Sequence, residues 1–139
     1  ATLKVDILRP IGEIDRNIYG VFMEPIMNSM DGLLYNPEHP LANKDGFRTD
    51  YIEAARELQL PNMRWPGGNY TLTYDWKDGI GDPDRRPPRK NPAWRGVEHN
   101  DFGIDEFMTY CRVLGTEPLI VVNSGLGGAS SSAWTAART

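Results

Sequence analysis

The segment 62–70, with the sequence NMRWPGGNY, constrains the fold of this chain more than any other stretch. Its short apolar beginning ends in an arginine and a tryptophan, and Pro-Gly-Gly follows at once. This pattern predicts a buried strand that stops where a loop begins. In barrels of alternating strands and helices, the loop after each strand carries the chemistry. Arg64 and Trp65 are therefore predicted at a functional strand end, where the glycines let a ligand approach the backbone.

Strands and helices are predicted to alternate along the rest of the chain. Apolar runs predict strands at 18–23 and 118–122, before and after the strand that ends near Arg64. Amphipathic stretches predict helices at 50–60, 105–114 and 130–138. Because strands that alternate with helices form right-handed parallel units, the sequence predicts an α/β fold with a parallel sheet.

The first two helices carry signals for their ends and for their buried faces. Asp50 and Glu53 match a capping box, and Gly115 is a C-terminal stop for the second helix. The side chains predicted to face inward recur at helical spacing: Ile52, Ala55, Leu58 and Gln59 in the first helix, and Phe107, Met108, Cys111 and Leu114 in the second.

The N-terminal residues follow a different pattern. Residues 2–8 alternate between apolar and polar side chains, which predicts a half-buried strand rather than a continuously apolar strand of a parallel barrel. A long segment rich in Asn, Gly and Pro then runs over 26–48. Loops of this length inside compact domains are usually functional or disordered.

The length of 139 residues suffices for one modest domain. It is short for an eight-stranded barrel, which needs about 250 residues. Three strands alone leave open sheet edges and one uncovered sheet face. The chain is therefore predicted to need the rest of a larger protein, or a partner chain, to be well folded.

Composition excludes several functional classes. The net charge of −4 argues against nucleic-acid binding, and the basic cluster at 85–90 is interpreted as a solvated, proline-stiffened loop. No apolar run approaches the roughly 20 residues that span a bilayer. Cys111, the one cysteine, excludes an internal disulfide. His39 and His99 lack metal-ligand spacing, so no metal site is predicted. The glycines at 125–128 lack the spacing of a nucleotide loop.

Several stretches, taken in order, resemble glycoside hydrolase family 51, the α-L-arabinofuranosidases. The matching stretches are NIYGVFME at 17–24, RWPGGNY at 64–70, residues 76–86, NPAWRGVE at 91–98, FGIDEF at 102–107 and VVN at 121–123. The resemblance implies that residues 11–139 are the first three βα units of an incomplete (β/α)8 TIM barrel. It also implies that residues 1–10 contribute one strand to an accessory β-sandwich.

The resemblance implies a retaining glycosidase that releases terminal α-L-arabinofuranosyl residues from arabinan, arabinoxylan or arabino-oligosaccharides. Retention needs two carboxyl groups about 5–5.5 Å apart and no cofactor. The family's two catalytic glutamates end its fourth and seventh strands, so neither is expected in this chain. Two alternatives stay open: a relative that cleaves β-glucan or xylan internally, and a non-catalytic fragment that binds sugar or only assembles with the remaining barrel.

Three residues near the first two strand ends are candidate substrate-binding residues. Glu24 stands at a strand end before a proline, where a carboxylate can accept hydrogen bonds from sugar hydroxyls; the alternative is a surface carboxylate. Arg64 can orient a carboxylate, and in the family tunes the catalytic glutamate, or forms a structural salt bridge. Asn69 matches a family position that contacts the furanose, or only tolerates an unusual turn.

Two further candidates lie later in the chain. Trp94, in a loop, can form a flat wall for a sugar ring, whereas Trp65 and Trp76 are interpreted as core and loop anchors. Asn123 can line the pocket floor or cap a strand–loop junction. The remaining carboxylates Asp105, Glu106 and Glu117 are poor catalytic candidates, because they fall at a helix start or before a strand.

The expected partners are an arabinose-containing saccharide and the remainder of the barrel. The resemblance also implies a homo-oligomer, commonly a hexamer in the family. No signal peptide is visible, which favours the cytoplasm, whereas secretion stays open if Ala1 is a processed N-terminus.

Overall fold

A computed structural model describes residues 1–27 and 29–123 of the chain. These residues form strands β1 (Val21–Phe22), β2 (Asn62–Trp65), β3 (Arg89–Lys90), β4 (Val97–Glu98) and β5 (Glu117–Ile120), and helices α1 (Thr49–Glu57) and α2 (Ile104–Leu114). Short 3₁₀ turns lie at Arg16–Tyr19, Asn69–Leu72, Trp76–Gly79 and Pro83–Arg85. The helix predicted at 130–138 lies outside the described residues.

The strands β1, β2 and β5 form one parallel sheet with β2 in the middle. Arg64 of β2 pairs with Phe22 of β1 on one side and with Leu119 of β5 on the other. The predicted parallel arrangement is thus confirmed, and α1 and α2 supply the two helical connections between its strands. β3 and β4 pair separately as an antiparallel ribbon, which the sequence did not predict.

The hydrophobic core lies between one sheet face and the helices. Met63 and Trp65 of β2 point into it, and the Trp65 ring stacks on Phe107 of α2 with centroids 5.5 Å apart. The loop after β1 is also anchored there, since Phe47 is fully buried and its ring centre lies 5.3 Å from that of Tyr110. The core comprises Met23, Met30, Leu34, Phe47, Ile52, Met63, Trp65, Phe102, Phe107, Tyr110 and Cys111.

The opposite sheet face is uncovered in the described part of the chain. Phe22 is 58% exposed and Leu119 is 48% exposed, although both are large apolar residues in the sheet. Arg64 lies between them on the same face. This exposure agrees with the expectation that three strands need further protein to cover the sheet.

Two strand predictions differ from the structure near the N-terminus. The segment predicted as a strand at 2–8 is exposed and forms no strand within the described residues, where no neighbouring strand supplies ladder hydrogen bonds. The strand predicted at 18–23 is confined to β1, since Arg16–Tyr19 forms a 3₁₀ turn instead. Asp15 caps that turn by accepting a hydrogen bond from the Asn17 N–H at 2.8 Å.

The helix signals were partly correct. Gly115 ends α2 in the left-handed conformation as predicted, and Phe107 and Cys111 are buried. The predicted cap at Asp50 is wrong: α1 begins at Thr49, and the Asp50 carboxylate instead pairs with the Arg48 guanidinium at 2.6 Å. Ile52 of α1 is buried as predicted, but the prediction that Leu58 faces inward is wrong, because this residue follows the last residue of α1 and is 65% exposed.

The interpretation of the basic cluster at 85–90 as wholly solvated is wrong for Arg86. Its side chain is only 2% exposed and pairs with Glu106 of α2, with nitrogen–oxygen distances of 2.8 and 2.9 Å. The Glu106 carboxylate also accepts a hydrogen bond from the Gly103 N–H and so caps α2. This pair ties the loop before β3 to the helix, while Arg85 remains 86% exposed as predicted.

Candidate functional site

Glu24 lies just beyond the end of β1 and is the centre of the site. Its side chain is buried, with 7% exposure, although carboxylates are seldom buried without partners. Its Oε1 accepts hydrogen bonds from the Tyr70 N–H at 2.9 Å and from the Trp94 indole N–H at 3.0 Å. The alternative of a surface carboxylate is therefore wrong within this chain.

The glycines after β2 make room for Glu24. Gly67 has a φ of 115°, and a Cβ atom added to it would lie 2.5 Å from Glu24 Cγ and 2.8 Å from Cδ. Real Cβ atoms do not approach carbon atoms so closely, so only glycine fits there without displacing Glu24. The turn before Glu24 is fixed as well, since the Met23 N–H donates to the Arg64 carbonyl at 2.7 Å.

The surroundings of Glu24 favour its ionised form. Burial, the largest single effect, raises the pKa of Glu24. The hydrogen bonds from Tyr70, Trp94 and Gly68, together with the positive charge of Arg64, outweigh burial, so the net pKa of Glu24 is lowered. The site thus presents a carboxylate at neutral pH.

Arg64 stands beside Glu24 on the uncovered sheet face. Its guanidinium carbon lies 4.9 Å from the centre of the Phe22 ring, a cation–π arrangement that holds the side chain along the sheet. Within the described residues, the buried Arg64 Nε has no hydrogen-bond partner. This donor is therefore unused by the part of the chain described here.

Trp94 reaches Glu24 from the loop between β3 and β4. The loop backbone is held by Asn91, whose Oδ1 accepts from the Trp94 N–H at 2.9 Å. Trp94 also lines a cavity of about 360 Å³ together with residues of the turn after β1 and of β4, among them Met27, Asp31 and Glu98. The structure therefore brings Trp94 next to Glu24 and leaves it half-buried rather than in the core, and its role as a wall for the sugar stays a prediction.

The other predicted tryptophans behave differently. Trp65 is 1% exposed and belongs to the core, which confirms its interpretation as a core residue. Trp76 is 51% exposed and begins a 3₁₀ turn in the loop after β2. Neither is among the hydrogen-bond partners of Glu24 within the described residues.

Asn69 and Asn123 lie near the site but are not among the groups that contact Glu24. Asn69 is exposed and starts the 3₁₀ turn that presents the Tyr70 N–H. The Asn123 amide donates to the Leu72 carbonyl at 2.8 Å and links the end of the sheet to the same turn. This contact agrees with the structural alternative of a junction cap, and a role in binding sugar stays a prediction.

A buried polar network next to Trp94 was not predicted from the sequence. Asn91 is 1% exposed, and Glu98 of β4 is 6% exposed and accepts a hydrogen bond from the Asn91 amide at 3.3 Å. Burial and the neighbouring Asp31 raise the pKa of Glu98 to about 8. Asp31 and Glu98 are far apart in sequence, so no local pattern signalled their contact. Within the described residues no group of three or more His, Cys, Asp or Glu could hold a metal ion, and no helix there is long and apolar enough to cross a membrane.

Comparison with known sequences identifies related enzymes. Residues 54–137 match the family model described as the alpha-L-arabinofuranosidase 1 domain. The chain is 49% identical over 119 residues to alpha-L-arabinofuranosidase C of Emericella nidulans, covering 86% of this chain and 24% of that protein. It is 41% identical over 132 residues to an intracellular exo-alpha-(1->5)-L-arabinofuranosidase of Halalkalibacterium halodurans, covering 95% and 26%. The chain thus spans about a quarter of the curated relatives it matches.

Solved structures agree with the sequence matches. A thermostable GH51 alpha-L-arabinofuranosidase from Thermotoga petrophila superimposes with a TM-score of 0.78 at 47% identity, covering 82% of this chain and 24% of that one. A family 51 alpha-L-arabinofuranosidase from Bifidobacterium longum superimposes with a TM-score of 0.80 at 37% identity, covering 85% and 23%. The described residues therefore adopt the conformation of one part of these larger enzymes.

Proposed function

Because the chain belongs to the α-L-arabinofuranosidase family whose domain model it matches, we propose that its parent protein is a retaining glycosidase. The parent releases terminal α-L-arabinofuranosyl residues from arabinan, arabinoxylan or arabino-oligosaccharides, and this chain supplies the sugar-binding part of the site. The relatives above are named arabinofuranosidases, so internal cleavage of β-glucan or xylan is not proposed.

The observation that carries this proposal is the buried, ionised Glu24 carboxylate at a strand end. A carboxylate offers about four acceptor positions, and Tyr70, Trp94 and Gly68 donate to three of them in Glu24. The remaining position is suited to a sugar hydroxyl, because charge-assisted hydrogen bonds are stronger than neutral ones. Trp94 supplies a flat apolar face for the sugar ring, and Arg64 supplies an unused donor nearby.

The catalytic carboxyl pair is proposed to lie in the part of the parent beyond this chain. Retention requires two carboxyl groups about 5–5.5 Å apart with the sugar between them. Asp31 and Glu98 form a close carboxyl pair, but they are in hydrogen-bonding contact and leave no room for a substrate. Arg64 is proposed to orient one catalytic glutamate, and Asn69 and Asn123 to complete the sugar pocket.

The uncovered sheet face supports a role in a larger barrel. We propose that residues 11–139 form the first three βα units of a (β/α)8 barrel whose other strands cover Phe22 and Leu119. Residues 1–10, which lack a strand partner here, are proposed to join an accessory sandwich. A homo-oligomer and a cytoplasmic location are proposed in the same way, the second because one relative is named intracellular.

The test is release of 4-nitrophenol from 4-nitrophenyl α-L-arabinofuranoside by the full-length parent. Glu24→Gln keeps the side-chain shape but removes the charge, and should lower kcat/KM by about tenfold or more, because hydrogen bonds to charged groups are worth about 1.5–3 kcal/mol. Glu57→Gln, on the exposed side of α1, is the matched control and should leave kcat/KM unchanged. An inactive wild-type parent, or an active isolated chain, would overturn this division of roles.

A further inference from the structure

The buried Asn91 amide connects Trp94 to the turn that carries Glu24. Its Nδ2 donates to the Pro25 carbonyl at 3.0 Å and to Glu98 Oε2 at 3.3 Å. Its Oδ1 accepts from the Trp94 N–H at 2.9 Å and from the Ala93 N–H at 3.1 Å. An asparagine amide has two donor hydrogens and two acceptor lone pairs, so every hydrogen-bonding position of Asn91 is used.

These contacts close a ring around the proposed sugar-binding carboxylate. Pro25 follows Glu24 in the chain, Asn91 joins the Pro25 carbonyl to the Trp94 backbone, and the Trp94 indole returns to Glu24 Oε1 at 3.0 Å. A shift of Asn91 would therefore move the Trp94 backbone relative to Glu24. Buried amides hold such positions firmly, because an unsatisfied buried donor or acceptor costs about 1–3 kcal/mol.

The carboxyl pair below Asn91 fixes one end of this ring. Asp31 Oδ1 accepts a hydrogen bond from the Phe102 N–H at 2.8 Å. The other oxygen, Oδ2, is buried and has no hydrogen-bond partner within the described residues. The Glu98 carboxyl lies in hydrogen-bonding contact with the Asp31 side chain. Two carboxyl groups in such contact share one proton, because both cannot be ionised at that distance. A proton on Glu98 satisfies Asp31 and leaves Glu98 Oε2 to accept from Asn91.

We infer that Asn91 and the Asp31–Glu98 pair are positioning residues that hold the Trp94 indole against Glu24 and thereby set the affinity of the site for its sugar. This inference rests on the proposed function, since it concerns the same carboxylate. None of the three residues donates to or accepts from Glu24 directly, so each acts on the sugar through Trp94. A cation is a poor occupant of the carboxyl pair, because cations such as Ca²⁺ need six to eight oxygen ligands.

The shared proton makes this arrangement sensitive to alkaline pH. The groups that face Glu98 are Asp31 and Asp101, whose negative charges oppose its ionisation, the Asn91 amide, and the Tyr70 ring; Arg95 and His99 line the same cavity. The pKa of Glu98 is raised, to about 8, so its proton is present below that pH and is lost as the pH rises through it. Ionisation of both carboxyls would push Glu98 away from Asp31 and loosen Asn91 and Trp94.

The test is a double-mutant cycle in the full-length parent, with the inhibition constant of L-arabinose as the measurement. Trp94→Phe keeps an aromatic ring but removes the N–H donor, and Asn91→Ala removes the link; each should weaken arabinose binding about tenfold, in line with loss of one charge-assisted hydrogen bond. Because Asn91 acts through Trp94, the double variant should bind within about twofold of Trp94→Phe alone. If the loss of affinity in the double variant equals the product of the losses in the two single variants, the inference is wrong.

A matched control separates positioning from simple loss of stability. Asn100 is also a buried asparagine, with 2% exposure, but its amide donates to the Pro87 carbonyl at 2.7 Å and not to the Trp94 loop. Its φ of 62° suits glycine, so Asn100→Gly removes the amide without new backbone strain. Asn100→Gly should leave arabinose binding unchanged in both the wild-type and Trp94→Phe backgrounds. A loss of binding equal to that of Asn91→Ala would assign both to destabilisation.

Glu98→Gln tests the same inference even if the Asn91→Ala variant fails to fold. A glutamine amide donates permanently to Asp31 while its oxygen still accepts from Asn91, so it mimics the protonated acid. The wild-type inhibition constant should rise above pH 8, whereas that of Glu98→Gln should stay flat from pH 7 to 9. The same alkaline rise in both proteins would overturn the role of the carboxyl pair. Release of 4-nitrophenol by the wild-type parent tests the proposed function separately.

Discussion

Replacing Gly67 with alanine is the most direct perturbation of the Glu24 site. The added Cβ would lie 2.5 Å from Glu24 Cγ and 2.8 Å from its Cδ, and closer still to its Cβ. The φ of 115° is also unfavourable for a residue with a side chain. The Met23 N–H donates to the Arg64 carbonyl, and the Glu24 carbonyl accepts from the Ile26 N–H and the Ser29 hydroxyl, so the backbone here is held and a free side-chain rotation cannot relieve the clash.

The expected magnitude has two parts. A positive φ costs an alanine about 1–2 kcal/mol, and overpacking costs about 1–3 kcal/mol. The free energy of unfolding should therefore fall by about 2–5 kcal/mol, a large part of the 5–15 kcal/mol that holds a typical domain together. Displacement of Glu24 by about 1 Å should also lower kcat/KM by about 10²-fold.

Urea unfolding and 4-nitrophenyl α-L-arabinofuranoside kinetics on the full-length parent measure both parts. Gly115→Ala is the control for backbone strain, because its φ is 71° and nothing lies within 4 Å of its added Cβ. Gly68→Ala is the control for location, since its Cβ would lie at an ordinary 3.7 Å from Glu24 Oε2. Gly115→Ala should lower the free energy of unfolding but leave kcat/KM unchanged. Gly68→Ala should change the free energy of unfolding and kcat/KM only slightly. Retention of kcat/KM within twofold by folded Gly67→Ala would refute the reasoning.

Three further predictions concern the described residues. Arg86→Met should lower the free energy of unfolding by about 3–5 kcal/mol, because it leaves the Glu106 charge without its partner, whereas the exposed Arg85→Met should change it by less than about 0.5 kcal/mol; equal losses in urea unfolding would contradict this. Cys111 should resist iodoacetamide at pH 8 until the protein unfolds, because burial raises the pKa of its thiol to about 11, and labelling of the native protein would show that it is accessible. Because the pKa of Glu24 is lowered in the folded state, its ionised carboxylate stabilises the fold above the ordinary pKa of 4.5, and this stabilisation is lost as the pH falls through the folded pKa. In Glu24→Gln the urea midpoint of unfolding should therefore fall less steeply at acidic pH than in the wild type.

The sequence predicted the features that depend on neighbours in the chain. The strand that ends at Arg64 and Trp65 was recognisable because an apolar run meets Pro-Gly-Gly within a few residues. The left-handed end of α2 was recognisable from Gly115 for the same reason. In contrast, the alternating pattern at 2–8 describes which faces a strand would have but does not supply the partner that a strand needs.

The sequence singled out two residues that the structure brings together, but it did not identify the buried residues that hold them in place. Glu24 and Trp94 were identified as single residues, and the structure joins them by a hydrogen bond across 70 positions of sequence. Asn91 and Asp31 carried no signal, because a buried polar residue cannot be told from a loop residue until its distant partners are known. Arg86 was misjudged for that reason, since its partner Glu106 lies 20 residues away on a helix.

The geometry of Glu24 and the stability of the chain depend on different parts of the protein. Every hydrogen-bond donor that fixes the carboxylate comes from Gly68, Tyr70 or Trp94, so its position is set within the described residues. The sheet is incomplete on one face, because Phe22 and Leu119 are 58% and 48% exposed, and burying what remains exposed would contribute about half of the 1.5–3 kcal/mol expected for a fully exposed side chain, or roughly 1 kcal/mol each. A covering segment would therefore add about 2–3 kcal/mol from these two residues to a fold of marginal stability. Since all of these donors lie within the described residues, the carboxylate is oriented without a contribution from any covering segment.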